Sequence, residues 1–367
     1  MGAAPARSGH IAIRVPRGLA RGLATVCVLL ACATLGAGRA ASENAGDAPI
    51  GPRELGVVYN AREPLSRRMA ESYVRRRGIP GENLVAVSFP ARRSVLSPAE
   101  LRAMRARVNA ALPEHVQALA LTWSSAFRVG CMSVTTAFAA GFDPAFCSEP
   151  CARTRESPLY DAPGHRPHAE HGWRPAMMIP ARSFAAARTL IERGIASDQT
   201  HPVGTAYLLS TTDPARNVRA SLYPVIDALL GRRIDVEIVR GNVLSGRGDV
   251  LFYFTGLKRV PRVAGNRYLP GAIADHLTSF GGVLRGGVQM PATDWLTAGA
   301  TGSYGSVVEP CNYPRKFPAP LVAMRRYLDG EPLVEAYWKS VAQPGEGLFL
   351  GEPLAIPFGR HGDAGAP

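Results

Sequence analysis

Asp275, His276 and Ser279 lie on one short segment just ahead of Gly281-Gly282. A serine hydroxyl is inert near neutral pH until a base takes its proton. An imidazole beside a serine at an exposed turn, with an aspartate to orient the ring, is therefore the set that makes a nucleophile. The competing reading is a group of polar residues capping a helix end, since three residues on one short segment seldom converge. His165, His168 and His171 form a second set in GHRPHAEHGW, with Asp161 and Glu170 beside them and Cys147-x3-Cys151 upstream. Imidazole and thiolate bind zinc, but two spacings of three interrupted by Pro167 match no zinc signature. The expectation is a solvated loop and no metal, with those histidines as the candidates if there were one. Gly299–Glu309 (GATGSYGSVVE) is rich enough in glycine to approach a phosphate. It lacks the Lys-Ser/Thr ending of a P-loop and does not read G-x-G-x-x-G, so no nucleotide or other cofactor is expected.

Side chains of this kind need a scaffold, and the chain alternates short apolar runs with amphipathic stretches. Leu55–Tyr59 reads as a buried strand ending at Asn60. Pro64 then opens a helix with Leu65, Met69 and Tyr73 repeating every four residues and Gly78 as its stop. Leu84–Phe89 is a second strand. Ser97-Pro98-Ala99-Glu100 is a capping box opening a helix to about Ala111. Val116–Trp123 is a third strand, after which 124–180 breaks the rhythm with many Pro and Gly residues. Further strands are expected over Thr205–Ser210, Ile234–Val239, Val250–Thr255 and Gly302–Val308. Helices are expected from Ser183 to Arg193 and over Asn217–Leu230, Pro270–Leu277, Asp294–Ala298, Pro320–Leu328 and Leu333–Ser340.

This alternation predicts an α/β fold, a three-layer sandwich with a mainly parallel sheet. It forms one domain over 54–358, with an irregular insertion at 124–180, a linker over 41–53 and a disordered tail at 359–367. Ligands of such sheets sit beyond the carboxyl ends of the strands. That nominates Asn60, Trp123, Ser124 and Ser125, Thr211 to Asp213, and Thr255 with Gly256. Arg128, Asp294 and Glu309 complete the candidate binding set.

The net charge is +13, from 42 Lys and Arg against 29 Asp and Glu, and only Lys258, Lys316 and Lys339 are lysine. Residues 1–40 carry five of the arginines and no acid, so without them the balance falls to +8. The rest are scattered, with no basic stripe interleaved with aromatics, and nucleic acid is not an expected partner. Residues 23–37 form a 15-residue apolar stretch behind an Arg-bearing segment. It is too short for a membrane span and fits the core of a signal peptide, residues 1–40, cleaved before Ala41. Lipoprotein processing at Cys32 is the alternative. The mature chain then keeps Cys131, Cys147, Cys151 and Cys311, an even number suited to disulfides in an oxidising compartment. Four cysteines allow three pairings, among which sequence does not choose. The expected location is the periplasm or the exterior, with no span in the mature chain.

Several segments taken together resemble a sporadically distributed family of predicted exported bacterial proteins. They are residues 57–87, LTWSSAFRV (121–129), LPGAIADHLTSFGG (269–282), DWLTAGATGSYGSVVEPCN (294–312) and GLFLGEPLAIPF (347–358). More distantly, the order of 249–256, 271–273, 299–303 and Gly351-Glu352-Pro353-Leu354 resembles the gingipain branch of caspase-like cysteine peptidases. That resemblance implies a caspase- or gingipain-like topology with a His after one strand and a Cys after the next. Here those places read Phe254-Thr255-Gly256-Leu257 and Leu277-Thr278-Ser279-Phe280-Gly281. The functional expectation is an exported, non-catalytic or divergent peptidase-like domain binding a peptide or glycan at the strand ends. The alternative is a hydrolase using Ser279 and His276.

Overall fold

Strand β1 (Leu55–Asn60) is apolar along nearly its whole length and buried on both faces. That is the signature of a strand inside a parallel sheet covered by helices. The computed structural model describes residues 48–147 and 151–360. The expected signal peptide with Cys32, most of the linker and most of the tail lie outside the described residues. The remaining strands are β2 (Leu84–Val87), β3 (Val95–Leu96), β4 (Ala118–Leu121), β5 (Arg128–Val129), β6 (Met132–Ser133), β7 (Ala176–Met178) and β8 (Thr205–Ser210). After them come β9 (Asp235–Arg240), β10 (Val250–Thr255), β11 (Tyr268–His276), β12 (Gly302–Ser306) and β13 (Gly347–Gly351). The helices are α1 (Pro64–Arg77), α2 (Pro98–Ala111), α3 (Val134–Ala140), α4 (Pro167–His171), α5 (Phe184–Ile195), α6 (Tyr223–Leu230), α7 (Thr293–Ala298), α8 (Pro320–Leu328) and α9 (Leu333–Lys339).

Ten strands make one sheet in the order β2-β1-β4-β7-β13-β12-β11-β10-β8-β9, and β3, β5 and β6 make a small second sheet. In the large sheet every neighbouring pair is parallel except β12 with β13. The sheet is therefore two runs of five strands that meet at the antiparallel pair of β12 and β13. Both halves are wound alike. The chain begins one strand in from the outer edge, steps outward, then returns past the first strand and builds inward. This doubly wound pattern leaves a crevice where the winding reverses. In the first half the reversal lies between β1 and β4, and in the second between β8 and β10. The sequence shows no internal repeat, yet the winding is repeated.

The structure bears out an α/β fold with a large, mostly parallel sheet and helices around it. It corrects three elements. The expected helix over Pro270–Leu277 is instead strand, since 270–276 belong to β11, and Gly271 has a φ of 88°, outside the helical region. A strand buried on both faces shows no alternation, so its short apolar run reads equally well as a helix. The insertion at 124–180 holds regular elements, including β7 in the middle of the sheet. The expected helix over Asn217–Leu230 shrinks to α6, with Pro224 in its first turn. β13, expected nowhere, joins the two halves: Gly302 pairs with Gly351 across the junction.

Candidate functional site

At the second half's carboxyl edge the three proposed catalytic residues do not converge. Successive side chains on a strand point to opposite faces, so placing Asp275 and His276 in β11 sends them apart. Asp275 is buried and accepts a 2.6 Å ion-paired hydrogen bond from Arg219, with the Tyr337 hydroxyl at 3.3 Å. His276 is 1% exposed. Its Nδ1 accepts from the Trp295 indole N–H at 2.9 Å, and Nε2 lies 3.1 Å from the Met290 carbonyl, to which it donates. Burial pushes its pKa down to about 4, with Arg219 and other cations adding to the effect. A neutral ring with both nitrogens committed has no lone pair for a neighbouring hydroxyl. Ser279 is half-buried and makes no side-chain hydrogen bond within the described residues. The nucleophile-and-base pairing expected of Ser279, His276 and Asp275 is thus not assembled.

The crevice at that edge is filled by protein. Arg216 donates to Thr278 Oγ1 at 3.1 Å and to Asp213 at 2.8 Å, and Thr278 donates to Gln289 Oε1 at 2.6 Å. Thr211 donates to the Gly256 carbonyl at 2.8 Å. Thr255 is buried. A Cβ built on Gly256 would stand 1.9 Å from the Arg216 carbonyl oxygen, so only glycine lets these two backbones touch. Of the predicted binding set, Asp213 and Thr255 therefore belong to a closed edge.

The first half's edge is open. A cleft of about 800 Å³ lies beyond the ends of β1, β4 and β7. Its walls come from the start of α1 (Glu63, Leu65), the segment after β7 (Pro180 to Arg182), α5, the 283–291 segment and α7. Local sequence explains each wall. Ser183 caps α5 by accepting from the Ala186 N–H, which fixes where that helix leaves the cleft. The 283–291 segment is anchored at its root by glycine, because a Cβ on Gly282 would come within 2.4 Å of the Gly305 carbonyl oxygen in β12. Ser124 donates to the Ala181 carbonyl at 2.6 Å and accepts from the Ala181 N–H at 2.7 Å, tying the ends of β4 and β7 into one floor.

Three arginines reach this cleft. Arg193 is held by the Leu296 and Ala300 carbonyls at 3.0 and 2.6 Å, whereas Arg182 and Arg285 are exposed and make no salt bridge within the described residues. Against them stands Glu63. Its Oε2 is buried, and its neighbour is the buried Ser125 hydroxyl, which has no other partner among the described residues. Burial raises the Glu63 pKa above the ordinary carboxylate value, while the Arg285 guanidinium and the Ser125 hydroxyl oppose that rise. Asp294 is also raised by burial and opposed by Arg182 and Arg259, which places it in the same field of charge.

The other nominated residues are placed elsewhere. Asn60 is buried and bridges to Phe89, donating to its carbonyl at 3.0 Å and accepting from its N–H at 3.2 Å. Trp123 is buried and donates to the Ala126 carbonyl at 2.9 Å. Arg128 is half-buried in β5, and Glu309 is exposed and accepts from the Cys311 N–H at 2.8 Å. Only Ser124 of the nominated set lines the cleft, with Ser125 behind it and Asp294 near it. Glu63, Arg182 and Arg285 escaped the sequence reading. The available signals were Glu63 three residues past a strand end, and Arg285 beside Gly286-Gly287.

His165 lies with Glu331 and Glu335 at a spacing that would suit an ion, while His168 and His171 stand outside that group. Lys339 Nζ already donates to Glu331 at 2.9 Å and to Glu335 at 3.1 Å, and His165 Nδ1 is 2.5 Å from Glu335. Lys339, with Arg326 on Glu331 at 3.2 Å and His165 on Glu335, already supplies the carboxylates with cationic partners, so the group is a buried charge network around α9. Disulfides join Cys131 to Cys147 and Cys151 to Cys311, the second tying the insertion to the segment after β12. Such bonds form in oxidising, extracytoplasmic surroundings. No helix among the described residues is long and apolar enough to cross a membrane.

No protein-family model, curated protein or solved structure matches this chain. The cleft's own chemistry therefore carries the functional argument. It combines an apolar lining, two guanidinium groups with no salt bridge among the described residues, and a half-buried carboxyl group beside the Ser125 hydroxyl.

Proposed function

We propose that this chain is an exported α/β protein whose ligand is a peptide, bound in the cleft at the carboxyl edge of the first half-sheet. The observation that carries the reading is the contrast between the 800 Å³ opening there and the protein-filled edge of the second half. Leu65, Ala181, Leu190, Val283, Leu284 and Leu296 offer apolar area to side chains, and among the described residues no aromatic lines the cleft. Arg182 and Arg285 favour an acidic side chain or a terminal carboxylate, since guanidinium recognises carboxylate in a bidentate manner. Few polar groups in an apolar concavity is the usual make-up of a ligand site.

A distant caspase- or gingipain-like topology agrees with this reading. β10 and β11 are neighbouring parallel strands, and the segments after them are the ones the resemblance compares with that family's His and Cys turns. In this chain the first has no His and the second has Ser279 in place of Cys. The two disulfides suit the proposed export. Titration calorimetry with short apolar peptides, with and without acidic residues, tests the proposal. Acidic apolar peptides should bind, and Ala186→Trp, which fills the cleft from α5, should remove binding. Binding unchanged by Ala186→Trp would contradict the proposed location.

A further inference from the structure

Glu63 has features that binding alone does not need. It precedes α1 at the N-cap position, yet its carboxylate caps no backbone N–H. One carboxyl oxygen is buried against the Ser125 hydroxyl, while the side chain lines the cleft. Buried polar atoms are nearly always hydrogen-bonded, and here these two have only each other among the described residues. One proton satisfies both: Oε2–H can donate to Ser125 Oγ, or Ser125 O–H can donate to the carboxylate. The site thus accommodates the protonated and ionised forms of Glu63 with the same atoms. Arg285 lines the same cleft and acts on Glu63 through its charge; it is exposed, makes no salt bridge among the described residues, and is followed by Gly286 (φ 72°) and Gly287. Val288, 74% exposed, stands at the tip of the same segment.

We infer that Glu63 is the acid–base group of a hydrolytic site that cleaves an amide bond of the bound peptide, with Arg285 holding the developing oxyanion. This rests on the peptide-binding reading above. The ionised carboxylate takes a proton from a water molecule as the water oxygen bonds to the carbonyl carbon. The carbonyl π pair moves onto oxygen, where the Arg285 guanidinium stabilises it. On collapse the C–N bond breaks and the Glu63 carboxyl proton passes to the leaving amine, restoring the carboxylate. The balance is one water consumed per bond, with a carboxylic acid and an amine released, and no other reactant is required. A carboxyl group whose proton affinity is raised by burial at the wall of a cleft suits both halves of this exchange.

The test uses the purified chain with a library of internally quenched peptides rich in apolar and acidic residues, read by fluorescence and mass spectrometry. Binding of the same peptides is followed in parallel. Cleavage should occur, and Glu63→Gln should lower kcat by about 100-fold or more while leaving binding within about 3-fold. Arg285→Gln should lower kcat as well, whereas Ser279→Ala should leave cleavage unchanged. Peptide bound but never cleaved overturns the catalytic role and leaves the binding reading intact. Neither binding nor cleavage overturns both. Cleavage that survives Glu63→Gln, or is lost in Ser279→Ala, moves the chemistry away from Glu63.

Discussion

The two halves of the sheet share one winding and differ in what occupies the crevice that the winding creates. At the second edge, Arg219 with Asp275, and Arg216 with Asp213 and Thr278, bridge the strand ends, and His276 has both ring nitrogens engaged. At the first edge, Asn60 and Ser124 tie the floor together. Above them Arg182 and Arg285 make no salt bridge among the described residues, and Glu63 has only the Ser125 hydroxyl beside it. Most polar groups at the closed edge are engaged with each other and hold the fold, with Thr255 Oγ1 and Arg219 Nε the exceptions. Those at the open edge line empty space, which is the condition of groups that await a ligand. A strand end alone therefore does not locate a site. The open space and uncommitted charge at that end do.

This difference is open to attack from either side. The largest effect is expected at the closed edge. Arg219→Met leaves the buried Asp275 carboxylate uncompensated and should cost about 3–5 kcal/mol in urea unfolding. A cost under about 1 kcal/mol would show that the edge is not held by that pair.

Next in size is the pH response of His276. Its pKa in the folded chain, about 4, lies below the ordinary value of 6.5. Between those values the unfolded chain binds the proton and the folded chain does not, so stability falls as pH drops from about 6.5 to 4. The loss should total roughly 3 kcal/mol. His276→Gln should flatten that part of the curve, measured as midpoint against pH. An equally steep curve in the variant would assign the proton to another group.

The same substitution at each edge gives a smaller contrast. Gly256→Ala must push apart two backbones and should cost about 1–3 kcal/mol. In Gly287→Ala the new Cβ stands 3.3 Å from the Val283 carbonyl oxygen, so the change should stay under about 1 kcal/mol. Equal costs would erase the distinction. Smallest of all, Ala186→Trp should shift stability by no more than about 0.5 kcal/mol, because Ala186 is exposed and its new ring enters empty space. A large loss there would mean that the cleft is packed rather than open.

Much of the scaffold was legible in the sequence, and the reasons differ by element. Pro64, Ser97 and Ser183 mark helix starts through local chemistry, and α1, α2 and α5 begin where those residues place them. β11 was misread because burial on both faces removes the alternation that identifies a strand. The antiparallel junction of β12 and β13 rests on pairing over long separations and leaves no local trace. The site was less legible for the same reason. Ser124 and Ser125 could be nominated from their strand end. Glu63 and Arg285 line one cleft only because the segment after β11 lies over the ends of β1 and β4. His276 looked available because its partners, Trp295 and Met290, are supplied by tertiary structure.

The central claim is that ligand enters the first edge and not the second, and photocrosslinking tests it directly. An apolar acidic peptide carrying a photoreactive side chain is bound to the full chain, irradiated and mapped by mass spectrometry. Crosslinks are predicted on 182–193 of α5 and its approach and on 283–288, absent in Ala186→Trp. Crosslinks concentrated on 211–217 and 255–257, or a pattern indifferent to Ala186→Trp, would contradict it.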